Sequence, residues 1–220
     1  MTSAKLCRVV VLISGGGTNL QALIDAQQAG ELPVQLAAVI SNRPGVKGLQ
    51  RAADAGIPHE VLDHKAYESR EHFDEALIEK IDSHKPDLVV LAGFMRILTP
   101  AFTGHYLGRM LNIHPSLLPK YQGLHTHQRA IDAGDSCHGV TVHFVTAELD
   151  GGPAVVQAKV NILAEDTADT LAQRVQTQEH IIYPLAVKWF ACGSLLMKDG
   201  LSLLNGELLP HCGHLIDCSG

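Results

Sequence analysis

The chain has 220 residues, 46% of them hydrophobic, with five cysteines and a formal net charge of −6. That length and apolar content can fill one sizeable core. The acidic balance argues against the basic face that nucleic acid needs, leaving room for a local basic pocket for a phosphate or carboxylate, and no apolar run approaches the ~18 residues required to span a bilayer.

The N-terminal M-T-S-A-K-L-C-R leads into a strand and has no signal-peptide pattern. An odd number of cysteines without a C-x-x-C spacing reads as reduced thiols, so a cytoplasmic protein is expected. Arg8 to Ser14 is β-branched and apolar on both faces, as in a central parallel strand. Gly15-Gly16-Gly17-Thr18-Asn19 follows, and L-Q-A-L-I-D-A then takes helical spacing. Val34 to Ile40 is a second buried strand, Ser41 to Gly45 a loop, and a helix runs from there to Gly56. After a short strand from Ile57 to Leu62, Ser69 caps a helix to about His84, with Phe73, Leu77, Ile78 and Ile81 on its apolar face. Asp87 to Gly93 is the next buried strand.

From Met110 the chain reads M-L-N-I-H, the end of a strand, before Pro115, Pro119 and Gly123 forbid a continuing helix or ladder. His127 to Gly134 is a short helix. His138 to Val145 alternates, with Val140, Val142 and Phe144 on one face, and Pro153 to Val160 is a second extended run, suited to a mixed sheet edge. Asp166 opens a long helix with Asp169 three residues on, close to a capping box. The seam of that helix is Leu171, Val175, Ile182, Leu185 and Trp189, and Pro184 should kink or split it. From Leu195 a hairpin is expected and then a poorly specified tail, whose His211, Cys212, His214 and Cys218 have no second half-motif to make a metal site. With no repeats and no linker, the expectation is a single domain over 1–208 and a tail over 209–220. The alternation of elements predicts an α/β fold: a doubly wound, mostly parallel sheet with helices on both faces and an antiparallel edge.

Four places could carry chemistry. The triple-glycine turn between strand and helix sets backbone N–H groups at a positive helix end, ready for a phosphate, with Thr18 and Asn19 as added donors; a tight turn without a ligand is the alternative. It is not the dinucleotide fingerprint, because Leu20 stands where the third glycine belongs and Asn42, not an acid, follows the second strand. Gly93 to Leu98 lies beyond the carboxyl end of a strand, and its peptide groups suit a flat heteroaromatic ring, or else a core strand running into a loop. Asn112 and His114 share a face of an extended backbone and suit a reaction in which an oxygen turns negative and a proton moves. A strand-end histidine satisfied by carbonyls fits the same residues. Asp150, before Gly151-Gly152-Pro153, is a turn residue, or a partner for His114 if the fold brings them together.

The segment N-I-H-P-S-L-L-P, with K-Y-x-G-L after it, A-G-F-M-R-I-L before it and D-G-G-P further on, resembles the folate-dependent formyltransferases. The resemblance runs from about Val9 to Phe190, and the spelling is similar to the members that formylate glycinamide ribonucleotide. It implies the formyltransferase fold and transfer of the formyl group of 10-formyltetrahydrofolate, as co-substrate, to the glycinamide amine of 5-phosphoribosylglycinamide in purine synthesis, without a metal. Asn112, His114 and Asp150 would be catalytic, and no covalent enzyme intermediate would form on Ser116 or a cysteine. Gly17, Thr18 and Asn19 would hold the nucleotide phosphate; Thr18 replaces the family's usual serine and keeps the hydroxyl. Gln176 and Glu179, neighbours on one helix face, would lie near the nucleotide, although alone they read as a solvated surface. Met95, Arg96, Ile97, Leu98 and Asn112 would line the folate site, with the pterin read by backbone groups. Arg70, a cation in a first helical turn where the dipole disfavours it, would meet the glutamate tail; a surface arginine is the plainer reading.

The implied partners are small-molecule substrates, with no nucleic acid and no membrane, and a monomer or weak homodimer is expected. Methionyl-tRNA formyltransferase shares S-L-L-P but differs after the prolines and needs a nucleic-acid-binding domain. Formyltetrahydrofolate hydrolase usually carries a regulatory domain ahead of the first strand. A non-catalytic nucleotide- or folate-binding module would not need Asn112, His114 and Asp150 together.

Overall fold

The computed structural model describes residues 5–218, and the chain divides into two units, Met1–Leu111 and Asn112–Gly220. The first residues read for a targeting pattern (1–4) and the last of the tail (219–220) lie outside the described residues.

In the first unit β1 (Cys7–Ile13), β2 (Val34–Ser41), β3 (His59–Val61) and β4 (Leu88–Leu91) run parallel in the order β4-β1-β2-β3. Val9 through Ile13 are fully buried, which is why β1 carries an unbroken β-branched run and no alternation. Each such side chain contributes roughly 1.5–3 kcal/mol of burial. The helices are α1 (Thr18–Gln28), α2 (Lys47–Asp54), α3 (Arg70–Ser83) and α4 (Pro100–His105). Ser69 caps α3 as expected, its hydroxyl accepting from the His72 N–H at 3.1 Å. Phe73, Leu77 and Ile81 are buried, while Ile78 is half-buried. The sequence reading did not anticipate α4. It is too short to show a period, and only the Thr99 cap and Pro100 in its first turn signal it.

In the second unit β6 (Cys137–Phe144) and β7 (Ala154–Asn161) pair antiparallel. β5 (Met110–His114), whose Asn112 to His114 belong to this unit, neighbours β6. Helix α5 (Thr126–Asp132) precedes β6, and α6 (Ala168–Ala191) packs on β6 and β7. A small antiparallel sheet of β8 (Leu195–Lys198), β9 (Leu201–Leu204) and β10 (Glu207–Leu208) follows. The fold is thus the expected α/β class, mostly parallel with an antiparallel pair.

The sequence reading and the structure differ at three places. The reciprocal cap of α6 is Thr167 with Thr170, not Asp166 with Asp169. Asp166 instead accepts from the Leu163 N–H at 2.8 Å and pairs with Arg174 at 2.7 Å, which holds its carboxyl well below the usual range. Pro184 does not split α6, which runs continuously past it; Leu171, Val175 and Ile182 are buried, whereas Leu185 and Trp189 are half-buried. Within the expected tail, His214–Asp217 form β11, parallel to β7. That close approach needs Gly213, where φ is 74° and a Cβ would sit 2.6 Å from the Val155 carbonyl carbon. Four residues are too few to carry a strand pattern.

No described helix is long and apolar enough to cross a membrane. None of the five cysteines forms a disulfide, and among the described residues no cluster of three or more His, Cys, Asp or Glu is placed to hold a metal.

Candidate active site

β5 delivers Asn112 and His114 to one face, and the chain then turns sharply. That turn is pinned by polar groups from β6 and β7: the Thr141 hydroxyl donates to the Ser116 carbonyl at 2.6 Å, and Gln157 Nε2 donates to the Leu118 carbonyl at 2.8 Å. Tyr121, in the left-handed region at φ 56°, turns its carbonyl back to accept from His114 Nε2 at 2.9 Å. The other ring nitrogen, Nδ1, lies 3.4 Å from Asp150 Oδ2, and both side chains are only 8% exposed. Both nitrogens therefore face acceptors.

Asp150 sits in the β6–β7 connection at φ 50°. Its Oδ2 also accepts from the Gly123 N–H at 3.0 Å, which ties the two loops together. Gly152 follows because a Cβ there would collide with the Phe144 carbonyl oxygen at 1.8 Å. A cavity of about 400 Å³, lined in part by Leu118, Gln122, Thr146 and Glu148, opens beside the carboxylate.

The structure thus brings His114 and Asp150 into direct contact. Asn112 joins them through His143, whose Nε2 lies 3.2 Å from Asn112 Nδ2 and 3.9 Å from Asp150 Oδ1. Sequence reasoning missed His143. The signal was a histidine opposite Val142 and Phe144 in a strand buried on both faces. Behind this cluster His138 and His127 meet edge to face at 5.1 Å. Burial pushes His127 down, aided by the nearby His114, and burial pushes His138 down to about 4.

In the first unit Gly17 is the N-cap of α1, in the left-handed region at φ 70°. A Cβ on it would lie 2.7 Å from the Gly48 Cα, so only glycine lets α2 approach this turn. Arg51 of α2, also missed, donates to the Gly16 carbonyl at 2.9 Å and adds a cation to the helix end. Thr18 is half-buried and Asn19 buried.

Met95 and Ile97 are 57% and 58% exposed. Among the described residues nothing pairs with the backbone N–H or C=O of Arg96, Ile97 or Leu98, whereas the Met95 N–H donates to the Ser14 hydroxyl at 2.8 Å. The Arg96 guanidinium lies 5.4 Å over the Phe73 ring. Arg70 opens α3 and is exposed. Asp74, a third missed residue, is buried, accepts from the Thr99 N–H at 2.7 Å and feels both Arg96 and Arg70; burial raises its carboxyl. Gln176 and Glu179 lie one turn apart on α6, Gln176 exposed and Glu179 half-buried.

Comparison with known proteins completes the picture. Residues 7–187 match the family model described as formyl transferase. Phosphoribosylglycinamide formyltransferase of Escherichia coli K12 is 56% identical over 209 residues, covering 95% of this chain and 99% of that protein. The enzyme of the same name from Haemophilus influenzae is 51% identical, covering 94% and 98%. A solved phosphoribosylglycinamide formyltransferase from Coxiella burnetii, in complex with CHES, superposes with a TM-score of 0.93 at 51% identity, covering 96% of this chain and all of that one. The chain belongs to the formyl transferase family.

Proposed function

We propose that the chain transfers the formyl group of 10-formyltetrahydrofolate to the glycinamide amine of 5-phosphoribosylglycinamide, a step of purine synthesis. The relatives bearing that activity in their names match nearly the whole chain. The observation that carries the chemistry is the buried contact of Asp150 with His114, on a strand that also presents Asn112.

Attack of the amine on the formyl carbon makes a tetrahedral oxyanion. Asn112 has one amide hydrogen toward His143 and a second left to donate to that oxygen. His114, flanked by acceptors on both nitrogens, contributes positive charge, its Nε2–H exchanging the Tyr121 carbonyl for the oxyanion. Asp150 keeps the imidazole charged and oriented. The proton released by the amine reaches the folate nitrogen through His114 or a bridging water; the oxyanion then collapses to the formamide as the bond between the formyl carbon and that nitrogen breaks, tetrahydrofolate leaves, and no bond to the protein forms.

Gly17, Thr18 and Asn19 hold the nucleotide phosphate, with Arg51 adding charge, and Gln176 and Glu179 belong to the nucleotide. Met95 to Leu98 read the pterin through their open backbone, and Arg70 meets the glutamate tail. Residues 1–208 act as one domain, with the remainder a C-terminal extension. The chain works in the cytoplasm on small molecules, with no nucleic acid or membrane, as a monomer or weak homodimer. The test is formyl transfer by the purified chain to phosphoribosylglycinamide, against water and charged tRNA as competing acceptors. Turnover only with one of the latter two would sink the reading.

A further inference from the structure

His143 makes contacts that the chemistry above does not explain. Its side chain is 2% exposed, and Nδ1 lies 2.8 Å from the Phe144 carbonyl oxygen. A carbonyl only accepts, so Nδ1 carries the hydrogen. Burial pushes this imidazole down, against weaker opposing pulls from the Phe144 carbonyl and Asp150, which keeps the ring neutral near pH 7. Nε2 is then a bare lone pair, 3.2 Å from Asn112 Nδ2. Of the two orientations open to the Asn112 amide, one gives Nε2 a donor and the other sets two acceptors face to face.

We infer that His143 is a positioning residue for the formyl transfer: as the neutral Nδ1–H tautomer it fixes the Asn112 amide as a donor and leaves the Asp150 carboxylate to His114. The inference rests on the formyl-transfer reading. Its logic is clearest in the reverse case. A protonated or Nε2–H ring would turn the Asn112 oxygen inward, present an acceptor on one side and an amide pointing away from its task on the other. It would also compete for Asp150, whose Oδ1 is 3.9 Å away. Burial of a ring whose hydrogen is held on Nδ1 by the Phe144 carbonyl is what prevents this.

Two measurements test it. Nitrogen-15 NMR of histidine-labelled wild-type chain is expected to show His143 protonated at Nδ1 and bare at Nε2 throughout pH 6–8; an Nε2–H tautomer, or a ring that titrates in that window, would overturn the inference without any variant. In steady-state kinetics His143→Leu is expected to lower kcat by roughly 10–100-fold with both KM values within about threefold, as for a misplaced donor. His143→Gln, whose Oε1 can reach the place of Nε2, should recover kcat to within about fivefold of wild type. A folded Leu variant with wild-type kcat, or a Gln variant no better than Leu, refutes the positioning role while wild-type turnover of phosphoribosylglycinamide stands. Absence of that wild-type turnover refutes the functional reading, and this inference with it.

Discussion

Around His114 the polar side chains answer one another: imidazole to carbonyl and carboxylate, carboxylate to a backbone N–H, amide to a second imidazole. Along Arg96 to Leu98 the chain offers bare backbone and exposed apolar surface. The difference teaches how each region should respond to change. A saturated side-chain network fixes charge and proton position, so altering one member should change the rate of the chemical step. A backbone surface fixes where a ligand lies, so it should govern affinity and tolerate side-chain replacement.

The sharpest way to break this contrast is at the pair itself. His114→Ala and Asp150→Asn are each expected to lower kcat by roughly 10²–10³-fold, with KM for both substrates within about threefold. Steady-state kinetics with a folding check decides it, and a KM effect that outweighs the kcat effect would mean the network binds and does not catalyse. Next in size is Gly17→Ala. The left-handed φ and the 2.7 Å approach to Gly48 Cα force the turn to shift, so nucleotide KM should rise about tenfold or more, with roughly 1–3 kcal/mol of strain. Calorimetry with the nucleotide separates lost affinity from lost fold.

The second unit should also be the more sensitive to acid. His138 has a folded pKa near 4, below the value of about 6.5 for an unfolded histidine. Between those values the unfolded chain binds more protons, so this contribution is complete above pH 6.5 and is lost as pH falls toward 4. His127, shifted the same way, adds to it. Urea unfolding should show about 2 kcal/mol less stability at pH 4.5 than at pH 7, and His138→Gln should flatten that slope. An unchanged slope in the variant would place the acid sensitivity elsewhere.

What could be read from the sequence was local. Ser69 as a cap, the glycine turn at Gly17 and the shared face of Asn112 and His114 follow from spacing over a few residues. Thr167 took the cap assigned to Asp166 because Asp166 is engaged by Arg174, a partner two turns along the helix. For Asp150 the residue pattern left a turn residue and a partner for His114 both open, since their meeting depends on the loop after β5 bending back through Tyr121. Arg51, Asp74 and His143 act through tertiary contacts, with a glycine carbonyl, a helix cap and an amide on a neighbouring strand. No period or motif marks such pairs, and the same holds for β11, which exists because β7 offers it an edge.

The smallest expected effect is the most direct test of the open-backbone region. Ile97 is 58% exposed, and neither its N–H nor its C=O is paired by another described residue. If the pterin is read by those peptide groups, Ile97→Ala removes only part of an apolar contact and should raise folate KM by about fivefold or less. Ile97→Pro deletes the N–H and fixes φ while keeping an apolar side chain, and should cost more than the alanine does. Equilibrium binding of a non-reactive folate analogue to both variants ranks the two directly. An alanine variant weaker than the proline one would show that the side chain, and not the main chain, holds the ring, and the contrast between the two regions would fail there.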